Sequence, residues 1–133
     1  MIKPANIQVR FSDLDVLGHV NNSVYLSYFE MARVHYFGQL LGYDWDWQTN
    51  GAVLVKSEVE YIQPILLEHH PLIFVSVDEI GTKSFTLSYE IKVEDHIYTR
   101  GKSKLVCFDN DQQKTIEIPK RMLEALDLIK LEQ

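Results

Sequence analysis

Between Val24 and Leu41 the chain places apolar side chains on almost every side of one helical stretch, and that feature narrows the folds open to it. Tyr25, Tyr28, Phe29, Ala32, Tyr36, Phe37, Leu40 and Leu41 recur at three- and four-residue spacing, while Val24, Leu26, Met31 and Val34 fall on other faces. A helix apolar over most of its circumference should be enclosed by the rest of its domain. Gly42 stands where a C′ glycine ends a helix. Asn22 or Ser23 stands where a side chain caps the start of one.

Most of the remaining chain reads as strand. Ile7–Phe11 is short, β-prone and alternating, a candidate first strand, and Ser12–Ser23 is rich in turn formers. After an irregular or short helical linker, Tyr43–Asn50, the segment Ala52–Ile62 alternates Val53, Val55, Val59 and Tyr61 with Lys56, Glu58 and Glu60. Leu72–Ile80 is the next strand, Gly81-Thr82-Lys83 a tight turn, and Phe85–Val93 a clean half-buried strand. His96–Asp109 returns, Asp109-Asn110-Asp111 turns, and a short helix is expected from Pro119 to about Leu131. The economical packing is a curved antiparallel sheet wrapped around the one long helix, an α+β fold. At 133 residues the chain is expected to be a single domain, residues 1–133.

A formal charge of −6 argues against a nucleic-acid partner, which would call for a net basic face. It leaves room for a local basic patch. Arg100, Lys102 and Lys104 share one strand face by period-two spacing and, with Lys83, either meet phosphates across a subunit boundary or form a solvated face. The one cysteine, Cys107, cannot form an internal disulfide and sits in an alternating apolar segment as a buried thiol, which suits a reducing compartment. No charged-then-apolar leader and no membrane-length apolar run occur, so the expectation is a soluble, cytoplasmic protein without membrane insertion. His69-His70 has no third ligand at useful spacing, and no metal is assigned.

The chemistry concentrates in Val9–Arg33. Asp13, Asp15 and His19 occupy a loop between a strand and the start of the apolar helix. Backbone N–H groups at that start are unsatisfied and carry partial positive charge. They can hold an oxyanion, and a carboxylate beside them can attack a carbonyl or activate a water. Capping is the ordinary role of Asp and Asn in such places, and it stands beside the catalytic reading.

The pattern D-x-D-x-x-G-H-V-N-N from Asp13 to Asn22, followed by Tyr25, Tyr28, Phe29, Glu30, Ala32 and Arg33, resembles the 4-hydroxybenzoyl-CoA thioesterase family of hotdog proteins. Weaker matches follow in order at Tyr61-Ile62-Gln63-Pro64, Asp109 and Ile118-Pro119. The resemblance implies a hotdog fold and hydrolysis of an acyl-CoA thioester to free acid and CoA. It makes Asp15 the catalytic carboxylate, the backbone N–H of Asn22 the carbonyl-polarising donor, and Asp13 a supporting residue on the substrate side. It further implies a homodimer or homotetramer with acyl-CoA sites at the subunit interface, acyl carrier protein being the other possible carrier, and no cofactor.

One position departs from the pattern: some relatives carry a His where this chain has Asn22, and His19 sits only four residues after Asp15. His19 either takes part in the reaction or orients the loop; Asn21 is either a substrate-loop donor or a turn residue. Tyr25, Tyr28, Phe29, Tyr36 and Trp45 either line an acyl pocket or belong to the core, and Glu30 and Arg33 are spaced to pair. Two other readings stay open: a hydratase or dehydratase using Asp15 and His19 as an acid–base pair, and a non-catalytic dimer that binds acyl-CoA or acyl carrier protein.

Overall fold

The computed structural model describes residues 2–130. The long helix α1 spans Val24–Leu41, the range its apolar spacing indicates, and Gly42 closes it in the left-handed region (φ 89°), donating its N–H to the Gly38 carbonyl at 3.0 Å. Four long strands follow: β2 (Gly51–Tyr61), β3 (Leu72–Ile80), β4 (Ser84–Val93) and β5 (His96–Asp109). With the short strands β1 (Ala5–Asn6) and β6 (Lys114–Thr115) they form a six-stranded sheet in the order β1-β3-β4-β5-β2, β6 pairing with β5. The three-residue Gly81–Lys83 link and the Glu94-Asp95 link, both of whose residues have positive φ (50° and 66°), join their strands as hairpins. β2 runs antiparallel to β5: the Asn110 N–H reaches the Gln48 carbonyl at 2.8 Å, and the Ile62 N–H reaches that of Tyr98 at 3.0 Å.

The first strand departs from expectation. β1 pairs with β3 only at Ala5, opposite Ile73, and Asn6, opposite Leu72, rather than over Ile7–Phe11. The Ile7 N–H still reaches the Pro71 carbonyl at 3.2 Å, but Pro71 has no N–H to return and the ladder ends there. Ile7 and Val9 stay buried on an extended backbone, and Phe11–Asp13 then makes one turn of 3-10 helix. The final helix, α2, covers Lys120–Leu128 with Pro119 at its N-cap rather than in its first turn. Its expected end at Leu131 lies outside the described residues. Strand β6 was not anticipated.

The chain divides into two compact units, and α1 and all four long strands run through both. The first gathers residues up to Tyr36, Val59–Val75 and Tyr89–Gly101. Here α1 lies on β4: the Phe29 ring stacks on Tyr89 (centroids 4.3 Å apart), and Arg33 Nη1 donates to the Tyr89 hydroxyl at 3.0 Å. Ile65, Ile73 and Ile91 fill the same core. The second unit gathers Phe37–Glu58, Ser76–Ser88 and the chain from Lys102 on. There Phe37 meets Phe85 and Trp47 edge-on, the Cys107 thiol lies 3.8 Å from the Met122 sulfur, and Leu41, Leu87 and Leu126 are buried. Arg121 reaches across from α2 to the Leu41 carbonyl at 2.9 Å and sits over the Trp45 ring.

The helix is enclosed on one side only. Tyr25, Tyr28, Phe29, Ala32, Tyr36, Phe37 and Leu41 are buried, but Leu26, Met31 and Val34 are 43%, 49% and 62% exposed. The expectation of full enclosure is corrected: within one chain the sheet covers a single face of α1.

Candidate active site

Asp13 to Asn22 folds back on itself. The Asp15 N–H donates to the His19 carbonyl (2.8 Å), the Gly18 N–H to that of Asp15 (3.1 Å), and Leu14 bridges Val20 antiparallel. Gly18 supplies the positive φ, 77°, that this tight return requires. Asp15 turns its carboxylate onto its own loop, Oδ1 accepting the N–H of Leu17 at 2.9 Å and of His19 at 3.2 Å. Its Oδ2 has no hydrogen-bond partner among the described residues. A second segment steadies the loop: Val20 donates to the Ile65 carbonyl at 2.8 Å, His19 bridges Leu66, and His69 Nδ1 accepts the Leu66 N–H at 2.9 Å.

At the helix entry the side chain of Asn21 bonds the residue just before α1 rather than an N–H of the helix. Its Oδ1 accepts both the N–H and the hydroxyl of Ser23 at 3.0 Å, and its carbonyl accepts the Val24 N–H at 2.9 Å. The Asn22 N–H makes no hydrogen bond among the described residues, while the Asn22 carbonyl accepts the Tyr61 hydroxyl at 3.0 Å. A cavity of about 230 Å³ opens here. Asp15, His19, Val20, Asn22 and Tyr25 line one side of it, and Tyr61, Ile62, Gln63 and Pro64 the other. Tyr25, packed edge-on against Tyr61 at 4.9 Å, is buried, and that burial raises its phenol above the usual range.

The other residues singled out from sequence fall elsewhere. Asp13 is 6% exposed and one of its carboxylate oxygens carries the bonds: Oδ2 accepts the Arg10 N–H at 3.0 Å and the Tyr28 hydroxyl at 2.7 Å. Burial first, then this carboxylate, drives the Tyr28 phenol far above its ordinary pKa. Arg100 lies between Glu60 and Glu90 at 3.7 and 3.9 Å, Lys102 bonds Asp78 at 2.9 Å, and Lys83 reaches the Thr115 hydroxyl at 3.3 Å. None of the three lines the cavity. Lys56 pairs with Glu58 at 3.2 Å on an exposed face, and Glu30 lies 3.9 Å from Arg33. Tyr61 and Gln63 line the cavity without being expected as site residues, although both belong to the Tyr61-Ile62-Gln63-Pro64 motif. Among the described residues no group of three or more His, Cys, Asp and Glu is placed to hold a metal ion, and no helix is long and apolar enough to cross a membrane.

Residues 9–126 match the thioesterase-like superfamily. The chain belongs to this superfamily, a class of thioester hydrolases, and its α+β sheet-and-helix arrangement is the hotdog fold. The chain is 30% identical to the long-chain acyl-CoA thioesterase FadM of Escherichia coli over 124 residues, 91% of this chain and 94% of that protein. It superimposes with a TM-score of 0.84, at 31% identity, on a thioesterase of Thermus thermophilus in complex with coenzyme A and Zn, covering 96% of this chain and 93% of the other. A match to protein YsmA of Bacillus subtilis, 32% identical over 83 residues, spans 62% of this chain and 56% of that protein.

Proposed function

We propose that the protein hydrolyses acyl-CoA thioesters, water and thioester giving free acid and the CoA thiol, with Asp15 as the catalytic carboxylate. The observation that carries this reading is the cavity that brings together an Asp15 oxygen without a partner and the unbonded N–H of Asn22 at a helix entry. A thioester carbonyl in that cavity would rest its oxygen toward the Asn22 N–H, where the helix end favours developing negative charge. Asp15 Oδ2 would take the proton of an attacking water, or attack the carbonyl carbon itself to give an anhydride that water then opens; by either course the thiolate leaves and free acid is released. Thiolate is a weaker base than an amine or alkoxide, so little further acid catalysis is needed.

The cavity of one chain is small beside the roughly 300–1,000 Å³ of ordinary small-molecule pockets. β2, the last strand in the sheet order, exposes Val53, Leu54, Val55 and Tyr61, with Ile62 just beyond it. An exposed apolar edge strand invites a second copy of the chain. We read the working unit as at least a homodimer whose second copy completes the acyl-CoA site. A concentration series in sedimentation equilibrium would return a single monomeric mass if that reading were wrong.

His19 lines the cavity, but its bonds to Asp15 run through its main chain, which favours a loop-orienting role over the acid–base pair a hydratase would need. The deciding experiment is thiol release from short, long and aromatic acyl-CoAs and from an acyl carrier protein, for the native chain and for Asp15→Asn. Release that survives the substitution sinks the assignment. Binding without release by the native chain returns the protein to the non-catalytic reading, and enoyl-CoA hydration to the hydratase one.

A further inference from the structure

The loop that carries Asp15 is fixed to α1 through a residue outside the cavity. Asp13 Oδ2 accepts the Tyr28 hydroxyl at 2.7 Å, and Tyr28 lies in the second turn of α1 with its ring buried. The same Asp13 oxygen accepts the Arg10 N–H at 3.0 Å, which secures the 3-10 turn preceding the loop. The Asp13 carbonyl accepts the Asn21 N–H at 2.8 Å, which ties the two arms of the loop together just before Asn22. The Arg10 guanidinium is a distant partner, 3.8 Å away on a largely exposed side chain. A buried carboxylate therefore depends on the phenol for its shortest bond, and charge-assisted hydrogen bonds of this kind are the stronger ones.

We propose that Tyr28, acting through Asp13, is a positioning residue that sets Asp15 and the Asn22 N–H at their working separation. Asp13 touches both arms of the loop, one at Arg10 and one at Asn21, and Tyr28 joins that junction to the helix. Without the phenol the loop keeps its internal bonds and the Asn21–Val24 bond at the helix entry but loses its side-chain tie to the second turn of α1. The carboxylate and the oxyanion donor then sample a range of separations, and a displacement on the order of 1 Å is enough to slow a reaction by about a hundredfold. Positioning of this kind should appear in kcat and leave substrate capture nearly alone. The catalytic consequence rests on the thioesterase reading of the site; the anchoring of the loop does not.

The test uses Tyr28→Phe, Asp13→Asn and the double variant in the full chain, with kcat, KM, melting midpoint and amide exchange measured for each. Tyr28→Phe should speed exchange at the Asp15 and Asn21 amides and lower kcat by about tenfold with KM within about twofold. It should also lower the melting midpoint, because it leaves a buried charge short of a donor. Adding Asp13→Asn removes that charge and should recover much of the midpoint while kcat stays low, a separation that a purely structural role would not produce. Recovery of kcat in step with the midpoint, or an unchanged kcat in Tyr28→Phe, would overturn the proposal. Native protein without thiol release would instead remove the thioesterase reading, and the exchange rates would still report whether Tyr28 holds the loop.

Discussion

The two units seat the same helix on the same strand, yet they differ in what they bury. In the second unit Phe37, Phe85, Leu87, Met122 and Leu126 meet with Cys107 as a small apolar partner. In the first, Asp13 and the Arg33 guanidinium are drawn inside beside Tyr28 and Tyr89, and the cavity opens between the Asp15 loop and Tyr61–Pro64. Buried polar groups are costly unless bonded, and each unit holds some: Asp13 and Thr99 in the first, Ser103 and Asp109 in the second. The contrast teaches that one unit of this chain is packed around apolar side chains, while the other draws in a bonded carboxylate and a guanidinium and also holds the cavity.

The sharpest way to break the comparison is Asp15→Asn. The amide keeps an acceptor oxygen for the Leu17 and His19 N–H groups, so the loop and the melting midpoint should hold. Turnover should fall by about a thousandfold, the scale of losing a general base or nucleophile. Next come paired truncations, Phe85→Ala in the second unit and Phe29→Ala in the first. Each should cost about 3–5 kcal/mol in urea unfolding. Only Phe29→Ala, which loosens the Tyr89 stack and the Arg33 contact beside it, should also lower kcat of the folded fraction. Equal kinetic effects would erase the distinction between the units.

Smaller still is the alkaline response of the second unit. Burial pushes the Cys107 thiol from 9.0 up to about 11. Over that range the folded thiol keeps a proton that the unfolded one has lost, so unfolding releases a proton and stability falls as pH rises from 9.0 to about 11. Cys107→Ala should flatten that part of the urea-midpoint profile; the buried tyrosines Tyr25, Tyr28 and Tyr36 leave a further decline at higher pH. Least affected should be Arg100→Ala and Lys102→Ala, whose exposed ion pairs are worth little, with KM for acyl-CoA shifting by no more than about twofold. A larger rise in KM would restore these cations to the CoA phosphates.

The sequence made the framework legible wherever burial alternated or recurred over many residues. α1, β3 and β5 begin and end where their patterns do, because turn formers and Gly42 bound the long apolar run of α1 and the alternation of each strand records the face it presses into a core. The first strand failed because its limit is set by Pro71, remote in sequence and silent in any local pattern. β6 is two residues long and leaves no periodic signal. Asp15, Asn22, His19 and Tyr25 do meet at one cavity. Asp13 was legible as an acidic neighbour but not as the buried partner of Tyr28, since a hydrogen bond across fifteen residues depends on how α1 lies against the loop. Nor could the pattern of α1 show that its Met31 and Val34 side would be left open, because apolar residues alone do not say whether the covering surface comes from the same chain.

Gly38 and Tyr43 carry a consequence for how this sequence can vary. The Tyr43 ring passes so close to the Gly38 backbone that a methyl group there would collide with it, while the Tyr43 hydroxyl accepts from Gln39 Nε2 at 3.2 Å. A side chain at 38 would therefore displace the Tyr43 ring, which is 71% exposed and has solvent to swing into. The cost of such a change is the ring's cover over the helix end and its Gln39 bond, not the fold.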